Sequence, residues 1–438
     1  MPQPLKDFTV AIVGGGMCGL ACAYGFANAG IKADVFEAAA HYHEIGAGVG
    51  FGHNAIRVLR ELGLFDTILK VSGQQKANQR LFNMISGTGD HEQVFDYAES
   101  SGQQGNEGLG VYRPVFLDAV MPLLDPTMIS THFNKRCVSV EQSNTGPQTL
   151  HFADGTTHEA DVIIGADGIK SVTRSAIVSE TDNRLAFSGT YAYRGLIPID
   201  LLETEGIKAD IRSRPHCWVG AGKARHIITF PIRNDTVLNV VAFYTGDKML
   251  TSEHSHPWVE SVPQAEVLNR FSGWGNDVMI MLNHLKQPSR WSIHTLYPPL
   301  DSYVNGRVVL IGDAAHAMVP HLGAGVGQGF EDTYALCRLL GHPNVRKANI
   351  ETALKIYNEI RPPRANMVLK RSLRAGKIYE SYGPGLYDIS KMRHNLMGIW
   401  EPVWRFDLMD QVGLAILKEF EDSPQSVEKQ KNPSTTKR

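Results

Sequence analysis

The sequence predicts an α/β protein in which a mixed β-sheet is inserted into a domain built on a parallel sheet, followed by C-terminal helices. Three observations support this fold class. Residues 8–36 alternate strand, helix and strand, which is typical of a βαβ unit. Between residues 187 and 291 helical periodicity is weak and β-branched and aromatic runs dominate. The chain then returns to an apolar strand at Arg307–Ile311 and continues in long helical segments.

Length and composition indicate a large globular protein. Its 438 residues, 43% of them hydrophobic, exceed the usual size of one domain, and a formal net charge of −2 favours neither nucleic acid nor an anionic membrane as a partner. The five cysteines lack metal-ligand spacing, so we expect no metal and a reducing, cytoplasmic location. The uncharged segment 8–31 is interrupted by six glycines, so we expect no membrane segment.

The changes in pattern along the chain divide it into five expected segments. The first and third form one nucleotide-binding domain, the second is a substrate-binding sheet, the fourth is helical, and the polar fifth is expected to be a disordered tail. Along the chain, the five segments are residues 1–186, 187–300, 301–345, 346–420 and 421–438. Asn54 is expected to cap a helix through Leu62, with Gly63 after its end. A second helix, from Ile350 to about Tyr379, is expected to break near Pro362-Pro363.

A GxGxxG motif joins the first predicted strand to the first predicted helix. Gly14 allows a tight turn, Gly16 lets a pyrophosphate approach backbone N–H groups, and Gly19 lets helix and strand pack closely. Glu37 closes the next strand, where a carboxylate can accept both hydroxyls of a ribose. A glycine-rich packing turn is the alternative, but strand, helix and acid together predict a site for the adenosine half of a dinucleotide.

A second group of motifs lies far downstream and suits the other half of such a ligand. Asp313 follows an apolar strand, where it can hydrogen-bond a sugar-alcohol chain, and the glycine-rich segment Gly323–Gly327 opens a helix. A helix N-terminus favours negative charge, such as that on the N1–C2=O edge of a reduced flavin. Asp167 lies in a loop after another buried strand, although Asp-Gly is also a common turn pair. These motifs favour FAD as the dinucleotide.

In this order the motifs resemble those of the FAD-dependent aromatic-ring monooxygenases of the para-hydroxybenzoate hydroxylase group, above all its fungal salicylate hydroxylase-like members. The matching segments lie between Val10 and Arg364; they are Gly14–Leu20 with Glu37, Glu44–Val49 followed by Asn54-Ala55, Tyr112-Arg113-Pro114, Gly165–Gly168, Thr190–Gly195, Gly312–His316 and Pro320–Gly325. The resemblance implies a Rossmann-like FAD-binding domain of the para-hydroxybenzoate hydroxylase type, with the inserted sheet covering a substrate cavity. Residues 50–53 depart from the aliphatic-proline run that relatives often carry, which affects the contacts expected near the flavin ring.

The resemblance also implies roles for individual residues in FAD binding. Glu37 would hold the adenosine ribose, Arg113 the pyrophosphate or ribityl region, and Asp313 the ribityl chain. Gly325 and Val326 would lie against the isoalloxazine ring. The remaining residues expected to contact the cofactor are Ala47, Gly48, Val138 and Asp167.

The implied activity is an NAD(P)H- and O2-dependent aromatic hydroxylation that proceeds through a C4a-hydroperoxide of the flavin. Salicylate or a related phenolic acid is the expected substrate, with or without loss of CO2. One alternative is a phenolic or indolic secondary metabolite, and a more remote one is a non-catalytic nucleotide-fold binding protein, against which Asp313 and the complete Gly323–Gly327 segment argue. The choice between NADH and NADPH, and between monomer and homodimer, stays open.

Three residues are candidates for handling the substrate. Arg194 could bind a carboxylate bidentately, or could form an ion pair at a strand edge. His226 and His321 could each accept a phenolic proton, or could be structural histidines. Tyr193 and Tyr244 are weaker candidates, because aromatic residues in a sheet are commonly part of the core.

Overall fold

The structure is a computed structural model. It describes residues 4–42, 48–72, 77, 82–97, 108–179, 182, 184–220, 224–246, 250–251, 257–383 and 386–421. Ala47 and the expected tail beyond residue 421 therefore lie outside the described residues.

The described elements alternate between strands and helices in the first third of the chain and become helical after residue 312. The strands are β1 (Thr9–Val13), β2 (Lys32–Phe36), β3 (Gly48–Phe51), β4 (Asn83–Ser86), β5 (Gln93–Asp96), β6 (Leu109–Tyr112), β7 (Ile129–His132), β8 (Cys137–Glu141), β9 (Gln148–Phe152), β10 (Thr157–Ala160), β11 (Val162–Gly165), β12 (Leu185–Pro198), β13 (His216–Val219), β14 (Arg225–Ile232), β15 (Val237–Thr245), β16 (Val259–Ser261), β17 (Ser289–Leu296), β18 (Val304–Asn305) and β19 (Val308–Leu310). The helices are α1 (Met17–Asn28), α2 (His53–Glu61), α3 (Phe65–Val71), α4 (Arg113–Val120), α5 (Ile199–Thr204), α6 (Gln264–Arg270), α7 (Asn276–Asn283), α8 (Asp313–His316), α9 (Gly325–Gly341), α10 (Ile350–Tyr379), α11 (Ile389–Leu396), α12 (Glu401–Trp404) and α13 (Leu408–Ile416).

The first sheet is the predicted parallel sheet. Its strand order is β18-β19-β11-β1-β2-β7, and every neighbouring pair is parallel except β18 with β19. Its central strands β1, β11 and β19 are largely apolar and buried, as expected where both faces are covered. The carboxyl ends of β1, β2, β11 and β19 meet at one edge, which is the edge where ligands of open α/β sheets bind.

The second sheet is the predicted mixed sheet, with the order β16-β17-β12-β15-β14-β13-β4-β5. Neighbouring strands are antiparallel except β13 with β4, which are parallel. Strands β4 and β5 precede residue 187, so this sheet is not drawn from residues 187–300 alone. The strands β10, β9 and β8 form a separate three-stranded antiparallel sheet.

Two local expectations about helices were wrong. Helix α2 begins at His53 with Gly52 as its N-cap, and the Asn54 side chain donates instead to the Glu331 carboxylate at 2.7 Å. The hydrogen bond to this buried carboxylate is charge-assisted and therefore strong, so it holds the Asn54 side chain in this contact instead of in an N-cap. Gly63 does follow the helix with the expected positive φ of 76°. Helix α10 runs unbroken through Pro362-Pro363, because its apolar face is buried along its length.

A fully buried network of charged side chains fastens α9 to α10. Arg361 donates to Asp332 at 2.7 Å and to Glu331 at 2.8 Å, and Arg364 donates to both oxygens of Glu331. His316 contacts Asp332 at 2.6 Å. Burial alone would raise the pKa values of both carboxyl groups, but the guanidinium groups beside them, and His316 beside Asp332, hold these pKa values below their usual range. The network therefore stays ionised and fixes the start of α9.

None of the helices in the described part of the chain combines the length and the hydropathy needed to cross a bilayer.

Candidate active site

The turn between β1 and α1 has no room for side chains. Gly14 has φ of 104°, and a Cβ there would lie 2.4 Å from the Ala166 carbonyl oxygen. A Cβ on Gly19 would lie 2.0 Å from the Gly14 carbonyl oxygen. Gly16 is the N-cap of α1, so backbone N–H groups of the helix start face the sheet edge. The turn thus has the close packing and the donors that a pyrophosphate site requires.

Glu37 lies at the same edge, directly after β2. Its Oε2 accepts from the Gly15 N–H and its Oε1 from the Ala39 N–H, each at 2.8 Å. These bonds orient a half-buried carboxylate beside the glycine turn and leave it further acceptor capacity for a ribose. Lys135 donates its N–H to the Glu37 carbonyl, which places the chain leading to β8 alongside. Val138, the predicted contact on β8, is 49% exposed.

Asp167 uses its carboxylate within its own loop. It accepts from the Val172 and Thr173 N–H groups at 2.8 and 3.0 Å and from the hydroxyls of Ser171 and Thr173. The side chain therefore shapes the loop that packs against Gly14, and this geometry indicates a positioning role. Direct contact of Asp167 with a cofactor stays a prediction.

Asp313 and the Gly323–Gly327 segment border a cavity of about 320 Å³ between the two sheets. Asp313 is exposed toward this space at the first residue of α8, and Gly325 and Val326 line the cavity at the start of α9. Gly48 and Arg113 line it from the opposite side. The structure thus brings together five residues that the sequence predicted to contact the cofactor.

A row of side chains from the second sheet forms another wall of the cavity. The strand registers place Arg194 opposite Val241, Val241 opposite Ile228, Ile228 opposite Cys217, and Cys217 opposite Met84. All five side chains line the cavity. This row of five side chains is therefore apolar except at one end, where Arg194 supplies a positive charge.

Arg194 stacks over the Trp291 ring, 4.8 Å from its centroid. Among the described residues its guanidinium has no hydrogen-bond or carboxylate partner, so the expected ion pair at a strand edge is absent there. Burial, and then the nearby charge of Arg113, lowers the pKa of Arg194 to about 10. The side chain is consequently cationic at neutral pH, and it faces a cavity that offers an anion a place to bind.

The two candidate histidines are neighbours. Their ring centroids are 5.1 Å apart, and His321 lines the cavity while His226 is completely buried behind it. His226 Nδ1 lies 3.5 Å from a Glu380 carboxylate oxygen. Burial, and then the proximity of His226, lowers the pKa of His321 well below its ordinary value. His321 is therefore neutral at pH 7 and able to accept a proton.

The two tyrosines lie outside this wall. Tyr193 points to the opposite face of β12, where its hydroxyl donates to Glu266 at 2.7 Å. Tyr244 alternates with the cavity-lining Phe243 and packs under Arg270.

Three features suit the parts of FAD: the glycine turn without side-chain space, the Glu37 carboxylate beside it, and the helix N-terminus beside the exposed Asp313. A model of a FAD-binding domain matches residues 7–372, which is most of the chain. The chain belongs to this FAD-binding family.

Relatives across almost the full length of the chain are flavin monooxygenases. A salicylate hydroxylase of Pseudomonas putida is 38% identical over 91% of this chain and 92% of its own length. A 6-methylsalicylate 1-monooxygenase of Aspergillus terreus is 33% identical over 92% of this chain and 90% of its own length. A solved salicylate hydroxylase substrate complex superimposes with a TM-score of 0.81 at 32% identity, covering 94% of this chain and 98% of the other. The chain is thus an FAD-dependent monooxygenase, as its motifs predicted.

The sequence of this flavin monooxygenase did not predict the aromatic part of the cavity lining. Tyr97, Trp400 and Trp404 line it, with Tyr97 and Trp400 stacked at 4.2 Å. Trp404 occupies the space that a Cβ on Gly52 would need, 2.8 Å from its Nε1, which accounts for glycine in the unusual 50–53 segment. Trp400 and Trp404 carried a signal only as apolar residues near the C-terminal end of the sequence, because nothing local says what such residues cover.

We expect Gly14→Ala to weaken FAD binding at least tenfold. The added Cβ meets the Ala166 carbonyl, and a non-glycine residue in this backbone region costs on the order of 1–3 kcal/mol. The flavin-to-protein absorbance ratio and a flavin titration measure the effect. Gly413→Ala is the matched control, because a Cβ there meets no atom within 4 Å. Full FAD occupancy with unchanged affinity in Gly14→Ala would contradict the assignment.

Proposed function

We propose that this flavin monooxygenase hydroxylates the ring of a phenolic acid of the salicylate type, using FAD, O2 and NADH or NADPH. The observation that carries the proposal is Arg194, a cation without a counter-ion among the described residues, at one end of an apolar row of side chains in the cavity that the start of α9 also lines. An aromatic acid has the matching combination of a flat apolar ring and one negative charge. Relatives named for salicylate and 6-methylsalicylate support this substrate class.

Different residues of the site would hold different parts of the cofactor. In this proposal Gly14, Gly16 and Glu37 hold the adenosine diphosphate half, Arg113 and Asp313 the middle, and the start of α9 the flavin ring. When bound, FAD supplies the redox chemistry, which takes electrons from NAD(P)H and activates O2 for transfer of one oxygen atom. The protein's part is to place the substrate ring, exclude water and handle the phenolic proton.

Arg194 would position the substrate by pairing with its carboxylate. The pair would form inside an apolar cavity, where charge-assisted hydrogen bonds are strong and directional. Because the Arg194 pKa of about 10 is far above neutral, its charge is constant across the physiological range. The ring would then lie along Val241 and Ile228, with the carboxylate held at the end of the row where Arg194 lies.

His321 would accept the phenolic proton, which makes the ring more electron-rich. Its Nδ1 has no hydrogen-bond partner among the described residues, and its lowered pKa keeps it in the basic form. The ring of His226 lies beside it at 5.1 Å, and a Glu380 carboxylate oxygen lies 3.5 Å from His226 Nδ1, so the three side chains form a line. We propose this line as the exit for the proton.

The aromatic side of the cavity favours a second candidate substrate class. Phe82, Tyr97, Trp400 and Trp404 offer apolar surface beyond what a single ring would cover. A larger phenolic or indolic metabolite would use that surface, and several fungal relatives are named only as FAD-dependent monooxygenases. A reducing, cytoplasmic location fits either substrate, because all five cysteines are free.

A substrate panel under 18O2 tests the proposal. We expect salicylate-type acids to stimulate NADH or NADPH oxidation and to yield a product carrying one labelled oxygen atom, identified by mass. Larger phenols and indoles serve as the competing class, and 4-hydroxybenzoate tests the position of the hydroxyl. Nucleotide oxidation with no labelled product from any phenolic acid would overturn the substrate assignment.

Substitution of Arg194 by glutamine should raise the KM for a phenolic acid by about 10- to 150-fold, the range that corresponds to loss of a charged hydrogen bond. FAD content should not change, since the expected cofactor contacts lie elsewhere. Arg290→Gln is the control: it removes an arginine of the same sheet whose partners are Glu260 and Glu266 on the other face. Loss of flavin from Arg194→Gln, or an unchanged KM, would contradict the anchoring role.

His321→Gln should slow hydroxylation by about 10²-fold or more, because glutamine cannot accept the proton. In the wild type the rate should fall as pH drops below 6.5 toward the lowered pKa of His321, where the ring gains a proton. This acid limb should be absent from the variant. His216→Gln is the control, since burial also lowers the pKa of His216, to about 4, but its side chain is not part of the cavity wall. An unchanged pH–rate profile in His321→Gln would exclude the role.

A further inference from the structure

Among the described residues that the second sheet contributes to the cavity, Asn239 carries the one amide. Asn239 lies in the middle of β15, in a strand whose other cavity-facing residues are Val241 and Phe243. Its side chain is 4% exposed and lines the cavity. Asparagine is depleted from buried strands, so its presence here needs a physical reason.

The Asn239 amide forms no hydrogen bond with any described residue, and its Nδ2 is fully buried. A buried polar group left without a hydrogen-bond partner destabilises the folded protein. Native proteins rarely retain such a group without a use for it. The nitrogen and oxygen of the amide can be exchanged by a 180° rotation, but in either orientation its donor and its acceptor lack a partner among the described residues. The cost would be recovered if a ligand in the cavity completed these hydrogen bonds.

The strand register places Asn239 diagonally beside Arg194. Arg194 is paired with Val241 and Leu196 with Asn239 across β12 and β15. Because side chains alternate along a strand, Arg194, Val241 and Asn239 all face the cavity. Diagonal neighbours of this kind lie about 7–8 Å apart at Cα, within reach of two substituents on one aromatic ring. Arg194 and Asn239 are thus two polar points on one apolar wall.

We propose that Asn239 is a specificity residue whose amide hydrogen-bonds a second polar substituent of the aromatic acid that Arg194 anchors. This inference rests on the proposed function and narrows its substrate class to acids with a hydroxyl near the carboxylate. An amide suits that position because it can donate or accept without repelling the anion, as a carboxylate would. It lies in a different strand from Arg194 and from the histidines, so its contribution can be separated from theirs.

A comparison of two ligands tests the inference. Salicylate carries both the carboxylate and the neighbouring hydroxyl, whereas benzoate carries the carboxylate alone. Dissociation constants are measured with the FAD-loaded protein from the change in flavin absorbance or fluorescence. In Asn239→Leu we expect salicylate binding to weaken about 5- to 100-fold, the range for loss of a buried hydrogen bond, and benzoate binding to change less than about threefold.

The controls separate this result from a general loss of structure. Arg194→Gln should weaken both ligands, because both carry the carboxylate. Thr229→Val removes a buried hydroxyl on the opposite face of β14, where it accepts from Trp218, and should leave both dissociation constants unchanged. Asn239→Asp is nearly isosteric, so it preserves the fold, and its charge should weaken both anions with the larger loss for salicylate.

Each outcome bears on one of the two proposals. Equal weakening of both ligands in Asn239→Leu, or no weakening, overturns the role of Asn239 while leaving the substrate class intact. Failure of the FAD-loaded wild type to bind either ligand overturns the proposed function and this inference together. Loss of the salicylate preference in Asn239→Leu alone, with Thr229→Val unchanged, supports the inference.

Discussion

The buried charge network between α9 and α10 is the interaction on which the rest of the site depends. Arg361 and Arg364 neutralise Glu331 and Asp332 with direct hydrogen bonds, and Asn54 and Gln328 add neutral donors to Glu331. Charges this deep are tolerated only when their hydrogen bonds are satisfied, because desolvation costs several kcal/mol per ion. Their directional geometry leaves little freedom in how the two helices pack.

The network reaches both halves of the active site. Asp332 accepts from the Gly312 N–H at 2.9 Å, which fixes the turn that leads into Asp313. Arg364 donates to the carbonyls of Pro402 and Val403, which fixes the short helix between Trp400 and Trp404. The turn at Gly312-Asp313 and the aromatic side of the cavity are therefore held by the same buried side chains.

The cavity itself follows from the way the two sheets meet. The parallel sheet offers the carboxyl ends of its strands and the start of α9, while the mixed sheet offers a flat wall of alternate side chains. On that wall charge and hydrogen-bonding capacity are sparse, so Arg194 and Asn239 stand out against apolar neighbours, while His321 lines the cavity from the segment before α9. Electrostatic interactions in such a space are stronger than in water, which lets a few polar groups set orientation.

The sequence by itself determined the fold class and the cofactor, because these depend on local patterns, and the resemblance of its motifs to a known family implied the chemistry. A strand, a glycine turn and a closing acid such as Glu37 lie within a few dozen residues, and the helix start after Asp313 is equally local. Only the tertiary structure decided which side chains share the cavity. The register that aligns Arg194 with Met84 across five strands, the contact of Trp404 with Gly52, and the capture of Asn54 by Glu331 all join residues distant in the chain. The alternation of side chains along a strand predicts which residues share a face, but not which strand pairs with it. Such contacts can therefore be known only from the tertiary structure.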